Sequence, residues 1–121
     1  MYEIKDILTS LSKVRISKTM DEHHIHEEIK KVFDKEKIRY KHEYKLLSHK
    51  RFDFWIDGVV VEVKKSKPSK ITLLNQLNRY TKAEAVKSII VVMEESMDLP
   101  KFLNGKSIEV ISLNVNWGLA V

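Results

Sequence analysis

The sequence predicts an α/β fold in which helices flank one mixed β-sheet. Two segments near the N-terminus have apolar residues at helical spacing, a three-stranded meander follows, and a crossover helix then leads to further strands. The chain has 121 residues, a length typical of one domain. We therefore expect a single domain over residues 1–121, with a helical extension over 1–18 and a core over 21–113.

The first two predicted elements are helices. Apolar spacing predicts the first over Tyr2–Leu11. After a polar break, either Thr19 or Asp21 can cap the second helix, with Glu22 in its first turn. This helix is expected to end near Lys35–Lys37. Its apolar stripe consists of Ile25, Ile29, Val32 and Phe33.

Three strands are predicted next, over Arg39–Leu47, Arg51–Asp57 and Val59–Lys65. The pair Asp57-Gly58 between the last two strands is a strong signal of a tight hairpin turn. Because side chains alternate along a strand, one face of the second strand should carry Phe52, Phe54 and Ile56.

A crossover helix and two strands complete the prediction. The helix opens at Pro68 and Ser69 and extends to about Ala83. Its expected inner face carries Ile71, Leu74 and Leu77. Ser88–Met93 is a continuous apolar run, which is typical of a strand buried in a parallel sheet. A loop then precedes the final strand, Ser107–Leu113.

Composition excludes several classes of protein. The sequence has no cysteine, which rules out a disulfide framework, a thiolate zinc site, an iron–sulfur cluster and a Cys nucleophile. Its longest apolar runs, Val59–Val61 and Ile89–Met93, are far shorter than the roughly 20 residues of a membrane span. The absence of a Gly-rich phosphate loop argues against a nucleotide cofactor. Met1 is not followed by an apolar signal core, so we expect a cytoplasmic protein.

The positive charge is concentrated in the centre of the chain. The net charge is +5, but Lys35–Lys70 contains 11 Lys or Arg against 5 Asp or Glu, a local +6. Such a concentration is typical of proteins that bind a polyanion. A solvated lysine-rich surface would give the same count, so charge alone leaves both interpretations open.

Two acidic residues and a lysine come together on the predicted hairpin. A turn at Asp57-Gly58 places Asp53 and Glu62 on neighbouring strands with their side chains on one face, and Lys64 follows one step along. Two close carboxylates repel each other unless a cation neutralises them. Mg²⁺ prefers one or two carboxylates, waters and a substrate phosphate, and it can activate a water molecule beside that phosphate. An ordinary surface strand with a Glu–Lys pattern remains the alternative.

This pattern resembles the motif of the PD-(D/E)XK nuclease superfamily, which includes many restriction enzymes, Holliday-junction resolvases and phage recombination nucleases. Arg51-Phe52-Asp53 is followed, after eight residues, by Glu62-Val63-Lys64, and Phe52 replaces the proline of the motif. The resemblance implies a restriction-endonuclease-like core over roughly Asp21–Leu113 and a prokaryotic or phage-infected cell as host. It implies that Asp53, Glu62 and the backbone carbonyl of Val63 bind Mg²⁺, with Mn²⁺ able to substitute, and that Lys64 is the catalytic lysine.

The same resemblance implies two supporting residues outside the hairpin. Many members carry a glutamate on the helix before the sheet, and Glu22 fits because core-facing residues follow it at helical spacing. Glu27 and Glu28 are the alternatives, and His26 lies one turn after Glu22, where it could face the same site. The segment Gln76-Leu77-Asn78-Arg79-Tyr80 is similar to the Gln-containing motif of the recombination and phage nucleases, which implies that Gln76 contacts the site.

Basic residues near these positions indicate contacts to phosphates. The candidates for nucleic-acid binding are Arg51, Lys65, Lys67, Lys70 and Arg79. Such side chains neutralise phosphates without reading bases, so binding should depend on salt. Trp55 either packs under the first helix or stacks on a base. The three histidines of His23-His24-Ile25-His26 diverge around a helix and therefore do not predict a zinc site.

Together these observations predict a small Mg²⁺-dependent nuclease that hydrolyses phosphodiester bonds, with DNA endonuclease activity expected. A Holliday-junction resolvase is a specialised alternative that needs a homodimer, and Val115–Val121 is either its interface or the last part of the core. Two further alternatives are a non-catalytic nucleic-acid-binding module with the same fold and an α/β domain that binds an acidic protein.

Overall fold

Three helices and a six-stranded mixed sheet make up the α/β fold. A computed structural model describes residues 3–17, 19–46 and 51–113. The elements in chain order are α1 (Ile4–Leu11), α2 (Glu22–Lys35), β1 (Lys41–Lys45), β2 (Arg51–Ile56), β3 (Val59–Lys64), α3 (Lys70–Thr81), β4 (Ser88–Met93), β5 (Phe102–Leu103) and β6 (Lys106–Ser112). The predicted order of helices and strands is confirmed, and β5 is an additional strand within the predicted loop.

The sheet has the strand order β1-β2-β3-β4-β6-β5. β1, β2 and β3 form the antiparallel meander, and the turn between β2 and β3 has left-handed backbone at Asp57 (φ 47°) and Gly58 (φ 91°). α3 then crosses over to β4, which is parallel to β3, and β6 is parallel to β4. β5 pairs antiparallel with the first residues of β6.

Polar side chains cap two of the helices. Asp21 accepts a hydrogen bond from the backbone N–H of His24 (2.9 Å), so Asp21 rather than Thr19 caps α2. Ser69 accepts a hydrogen bond from the N–H of Thr72 (3.1 Å) at the start of α3. Both caps satisfy N–H groups that have no partner within the helix.

The core consists of two apolar layers, one on each face of the sheet. α1 and α2 cover the first face, where Phe33 and Phe54 are fully buried. Ile7 and Leu11 of α1 and the following Val14 are also fully buried in this layer, so the predicted N-terminal extension contributes to the core. α3 covers the second face, where the buried residues include Leu73, Leu77, Val60 and Ile89.

The inner face of α3 differs from the prediction. Leu77 is buried as expected, but Ile71 is 74% exposed, Leu74 is half-buried, and Leu73 and Tyr80 take the inner positions. Ile71 precedes Leu73 by two residues and therefore lies roughly 200° away around the helix. The prediction that Ile71 faces the core was wrong because the apolar residues of α3 do not all lie on one face.

The alternation of faces breaks at the centre of β1 and β2. Phe54 belongs to the layer under α2, whereas Phe52 packs in the layer under α3, with its ring 4.8 Å from that of Tyr80. On β1, Glu43 has φ 52° and lies between the pairs His42–Phe54 and Tyr44–Phe52. The prediction that Phe52 shares a face with Phe54 was wrong, since a strand alternates regularly only while its pleat is continuous.

Some predicted features lie outside the described residues. These are the first residue of the first helix, Tyr2, the predicted end of the first strand at Leu47, and the apolar stretch Val115–Val121. Within residues 3–17, 19–46 and 51–113, none of the helices has both the length and the apolar character needed to cross a bilayer.

Candidate active site

The sheet opens between β2 and β3 at the two acidic residues. Residue pairing between these strands runs from Ile56–Val59 to Phe54–Val61. At the next position, the backbone N–H of Asp53 donates to Glu62 Oε1 (3.1 Å). The N–H of Val63 donates to Asp53 Oδ2 (2.8 Å). Carboxylate oxygens thus take the place of backbone carbonyls, and both acidic side chains are held in the gap between the strands.

Glu62 is a buried carboxyl group whose charge is only partly offset by that of Lys64. It is 2% exposed, and burial, followed by the negative charge of Asp53, raises the pKa of Glu62 to about 8. The hydrogen bond from Asp53 N–H and the charge of Lys64 oppose this shift, with Lys64 Nζ 4.0 Å from Glu62 Oε2. The structure therefore brings together Asp53, Glu62 and Lys64.

α3 reaches the carboxyl pair through a chain of two hydrogen bonds. Gln76 Nε2 donates to the hydroxyl oxygen of Tyr80 (2.9 Å), and the Tyr80 hydroxyl hydrogen-bonds to Glu62. Burial raises the pKa of Tyr80, so its hydroxyl keeps its proton and donates a hydrogen bond to the carboxyl group of Glu62. Gln76, a residue that the resemblance places at the site, thus acts on Glu62 through Tyr80.

From α2, the side chain that meets the carboxyl pair is His26. Its Nε2 lies 3.6 Å from Asp53 Oδ2, and its Nδ1 lies 2.8 Å from Nε2 of His42 on β1. Both imidazole rings pack against the ring of Phe54, with centroid distances of 5.3 and 4.9 Å. Burial is the main cause that lowers the pKa of His42, so this imidazole favours its neutral form.

The glutamates predicted on α2 occupy other positions. Glu22 is exposed in the first turn of the helix, one turn before His26. Glu27 and Glu28 form ion pairs with the lysines three residues later, at 2.9 and 2.8 Å. The i, i+4 spacing from Glu22 to His26 was the sequence signal for the histidine. His23 and His24 are exposed.

Two open cavities lie near the site, one beside Asp53 and the other beside Lys64. One, of about 480 Å³, is lined by Glu43, Lys45, Arg51 and Asp53. The other, of about 270 Å³, lies where β3 and β4 end and is lined by Lys64, Lys65, Ser66, Lys67, Met93, Glu94 and Glu95. Ion pairs join Arg51 to Glu43 (3.4 Å) and Lys65 to Glu94 (3.0 Å).

The other predicted cations and Trp55 lie close to α3 and β2. Lys67, Lys70 and Arg79 are exposed. Trp55 is half-buried and packs against Phe52, with nearly parallel rings 5.5 Å apart. Trp55 therefore lies on the face covered by α3 and not under the helices of the N-terminal part.

The donor atoms at this site suit a hard cation. Among the described residues, no group of three or more His, Asp or Glu side chains is arranged to hold a metal ion. Mg²⁺ needs only one or two protein carboxylates, however, because waters and substrate phosphate complete its shell. Asp53 and Glu62 supply these, and the Val63 carbonyl faces β2 on the same strand edge as the N–H that bonds Asp53. A cation would also relieve the repulsion within the pair, so the residues fit Mg²⁺.

Comparisons with known proteins identify no relative of this chain. Protein-family models, curated proteins and solved structures were compared with the chain, and none gives a significant match. The fold and site together define a mixed α/β protein whose central hairpin carries a buried Glu62, a half-buried Asp53 and Lys64. The function is therefore argued from the site.

Proposed function

We propose that this protein is a Mg²⁺-dependent nuclease with a restriction-endonuclease-like core that cleaves phosphodiester bonds in DNA. The main supporting observation is the opening of the sheet at Asp53 and Glu62, which holds two carboxyl groups next to Lys64. Placing two carboxyl groups so close in a largely buried site costs stability, because each charge raises the cost of ionising the other. Strained or electrostatically costly arrangements of this kind are common at active sites.

In this proposal Asp53, Glu62 and the Val63 carbonyl would hold Mg²⁺. When bound, such an ion would supply positive charge to activate a water molecule and to neutralise a phosphate. Lys64 orients the attacking water or stabilises the negative charge that develops on the phosphate oxygens. Tyr80, supported by Gln76, fixes the orientation of Glu62, and His26 fixes that of Asp53.

DNA is proposed as the substrate on grounds of charge. The cations proposed to contact phosphates are Arg51, Lys65, Lys67, Lys70 and Arg79. Arg51 and Lys65 pair with one carboxylate each, whereas Lys67, Lys70 and Arg79 are exposed. Arg51 lines the cavity beside Asp53, and Lys65 and Lys67 line the cavity beside Lys64. These positions are suited to phosphates on both sides of the scissile bond.

The test is a cleavage assay with purified protein on plasmid DNA, linear DNA, four-way junctions and RNA. We expect DNA cleavage in Mg²⁺ or Mn²⁺ and none in EDTA. Lys64→Ala should lower the cleavage rate by roughly 100-fold or more. Undiminished cleavage by Lys64→Ala contradicts the role of this lysine, and metal-independent cleavage contradicts the role of the carboxyl pair.

The same assay separates the two candidates on α2. His26→Ala should lower the rate by roughly 10-fold or more, because Asp53 loses its neighbour. Glu22→Ala, one turn earlier on the exposed surface, serves as the matched variant and should retain most of the activity. If Glu22→Ala lowers the cleavage rate more than His26→Ala does, the supporting role belongs to Glu22.

Two alternatives remain outcomes of these experiments. A non-catalytic nucleic-acid-binding module would bind DNA without cleaving it in either metal. A Holliday-junction resolvase would prefer the four-way junction and would be a homodimer by light scattering. The predicted interface for that dimer, Val115–Val121, lies outside the described residues.

A further inference from the structure

The outer face of α3 carries a regular stripe of exposed side chains. Ile71, Asn75, Arg79 and Lys82 are all exposed and follow one another at intervals of four, four and three residues. This spacing keeps them on one side of the helix. Ile71 is 74% exposed, and Ile71 and Phe102 are the two large exposed apolar residues among those described. Ile71 is the N-terminal residue of this otherwise polar stripe.

The charge of this region favours an anionic partner. The stretch 63–83 contains no Asp or Glu. Its cations are Lys64, Lys65, Lys67, Lys70, Arg79 and Lys82. A solvated helix usually carries both signs of charge, as α2 does with its two Glu–Lys pairs. A face with only positive charges, amides and one aliphatic group is complementary to a nucleic acid.

The two flanks of α3 fix its position relative to the carboxyl pair. On one flank, Asn78 Oδ1 accepts a hydrogen bond from Asn104 Nδ2 (2.8 Å), beyond β5. On the other, Gln76 bonds to Tyr80, which bonds to Glu62. Glu62 therefore lies on the inner side of α3, below the Gln76 flank.

We propose that α3 binds in the major groove of duplex DNA, with Ile71, Asn75 and Arg79 facing the base edges. This inference rests on the proposed nuclease function and assigns duplex DNA as its substrate. Ile71 and Arg79 are about 12 Å apart along the helix axis, a span of roughly three to four base pairs. The major groove of B-DNA is about 12 Å wide and admits an α-helix.

The side chains match the groups found in that groove. Asn pairs with adenine, Arg pairs with guanine, and an aliphatic group contacts the thymine methyl. With α3 in the groove, one sugar–phosphate strand runs along the Gln76 flank, from which hydrogen bonds lead to Glu62. Duplex RNA has a deep and narrow major groove that does not admit a helix, so the arrangement selects DNA over RNA.

The test measures binding of the full chain to short labelled duplexes by fluorescence anisotropy, in Ca²⁺ and over a series of salt concentrations. Ile71→Ala and Asn75→Ala should each weaken binding to duplex DNA by roughly 5-fold or more without a change in salt dependence. Arg79→Ala should weaken binding and also lower the slope of log K against log salt by about one. Since these side chains are exposed, the variants should melt at the wild-type temperature.

Lys35→Ala is the matched control, because Lys35 is an exposed cation at the end of α2, on the opposite face of the sheet. It should change the affinity by less than about twofold. α3 variants that bind like Lys35→Ala, or duplex RNA that binds as tightly as DNA, would overturn the inference. If the protein cleaves DNA although groove binding by α3 is contradicted, the proposed nuclease function is retained and only the groove-binding inference is rejected. Loss of duplex binding by the α3 variants in a protein that cleaves nothing would support groove binding and contradict the nuclease.

Discussion

At the scale of single residues, Glu62 has the largest effect on the properties of the protein. Its carboxyl group is buried beside Asp53, and its pKa rises from 4.5 to about 8. Between these values the folded protein holds a proton that the unfolded chain has released. The contribution of Glu62 to stability is therefore fully present below pH 4.5 and is lost as the pH rises towards 8.

Glu62→Gln should stabilise the protein in alkaline solution. Glutamine has nearly the same shape and no charge, so it removes the cost of the buried carboxylate. We expect the free energy of unfolding at pH 8.5 to increase by roughly 1–3 kcal/mol, with little change at pH 5. Urea unfolding at the two pH values measures this difference.

Glu94→Gln is the control for that measurement. Glu94 is half-buried and forms an ion pair with Lys65 at 3.0 Å, so its replacement removes a favourable contact. It should give no gain in stability at either pH. If Glu62→Gln is no more stable than the wild type at pH 8.5, the assignment of an unfavourable buried charge to Glu62 is wrong.

The residues of the hairpin were predictable because strand alternation is a local rule. Asp53, Glu62 and Lys64 follow from the turn position and the two-residue period. The side of the sheet on which Phe52 lies could not be predicted, because the pleat breaks beside Glu43. No sequence pattern indicates the left-handed backbone of Glu43. The hydrogen bond from Tyr80 to Glu62 depends on the packing of α3 over β3, which is a tertiary property.

At the scale of elements, the β2–β3 hairpin positions the site. Its turn fixes the register, and the register sets Asp53 and Glu62 side by side. Gly58 contributes in two ways: its φ of 91° suits glycine, and its carbonyl accepts a hydrogen bond from Lys87 N–H at 2.8 Å. A Cβ atom at this position would lie 3.0 Å from the backbone oxygen of Ala85.

Gly58→Ala should therefore destabilise the protein more than the same change at another left-handed glycine. Gly105 has φ 79° and has no atom within 4 Å of an added Cβ. We expect Gly105→Ala to cost about 1 kcal/mol for the backbone alone and Gly58→Ala to cost roughly 2–3 kcal/mol. Chemical denaturation of the two variants compares them directly, and equal losses would show that the contact with Ala85 has no energetic effect.

Element boundaries were predictable where a residue has one conformational role. Asp21 and Ser69 cap helices, and Asp57-Gly58 forms the turn, all within the predicted positions. β5 was not predictable because two residues, Phe102 and Leu103, are too short for a periodic pattern.

At the scale of the whole molecule, the site receives one side chain from the helix layer on each face of the sheet. β3 is covered by α2 on one face and by α3 on the other, and its last residues carry Glu62 and Lys64. His26 approaches from the first layer and Tyr80 from the second. The strand order follows from the meander and the crossover helix, whereas the meeting of these two side chains depends on how both layers pack.

The most direct test of the account is calorimetric titration of Mn²⁺ at pH 7 in buffers with different ionisation enthalpies. The account predicts one site, with about one proton released per ion, because Glu62 holds a proton at this pH and must lose it to bind a cation. Asp53→Asn should abolish the site, and Asp98→Asn, at an exposed residue, should leave it unchanged. Absence of binding, or equal binding by Asp53→Asn, would contradict the claim that the carboxyl pair is a metal site.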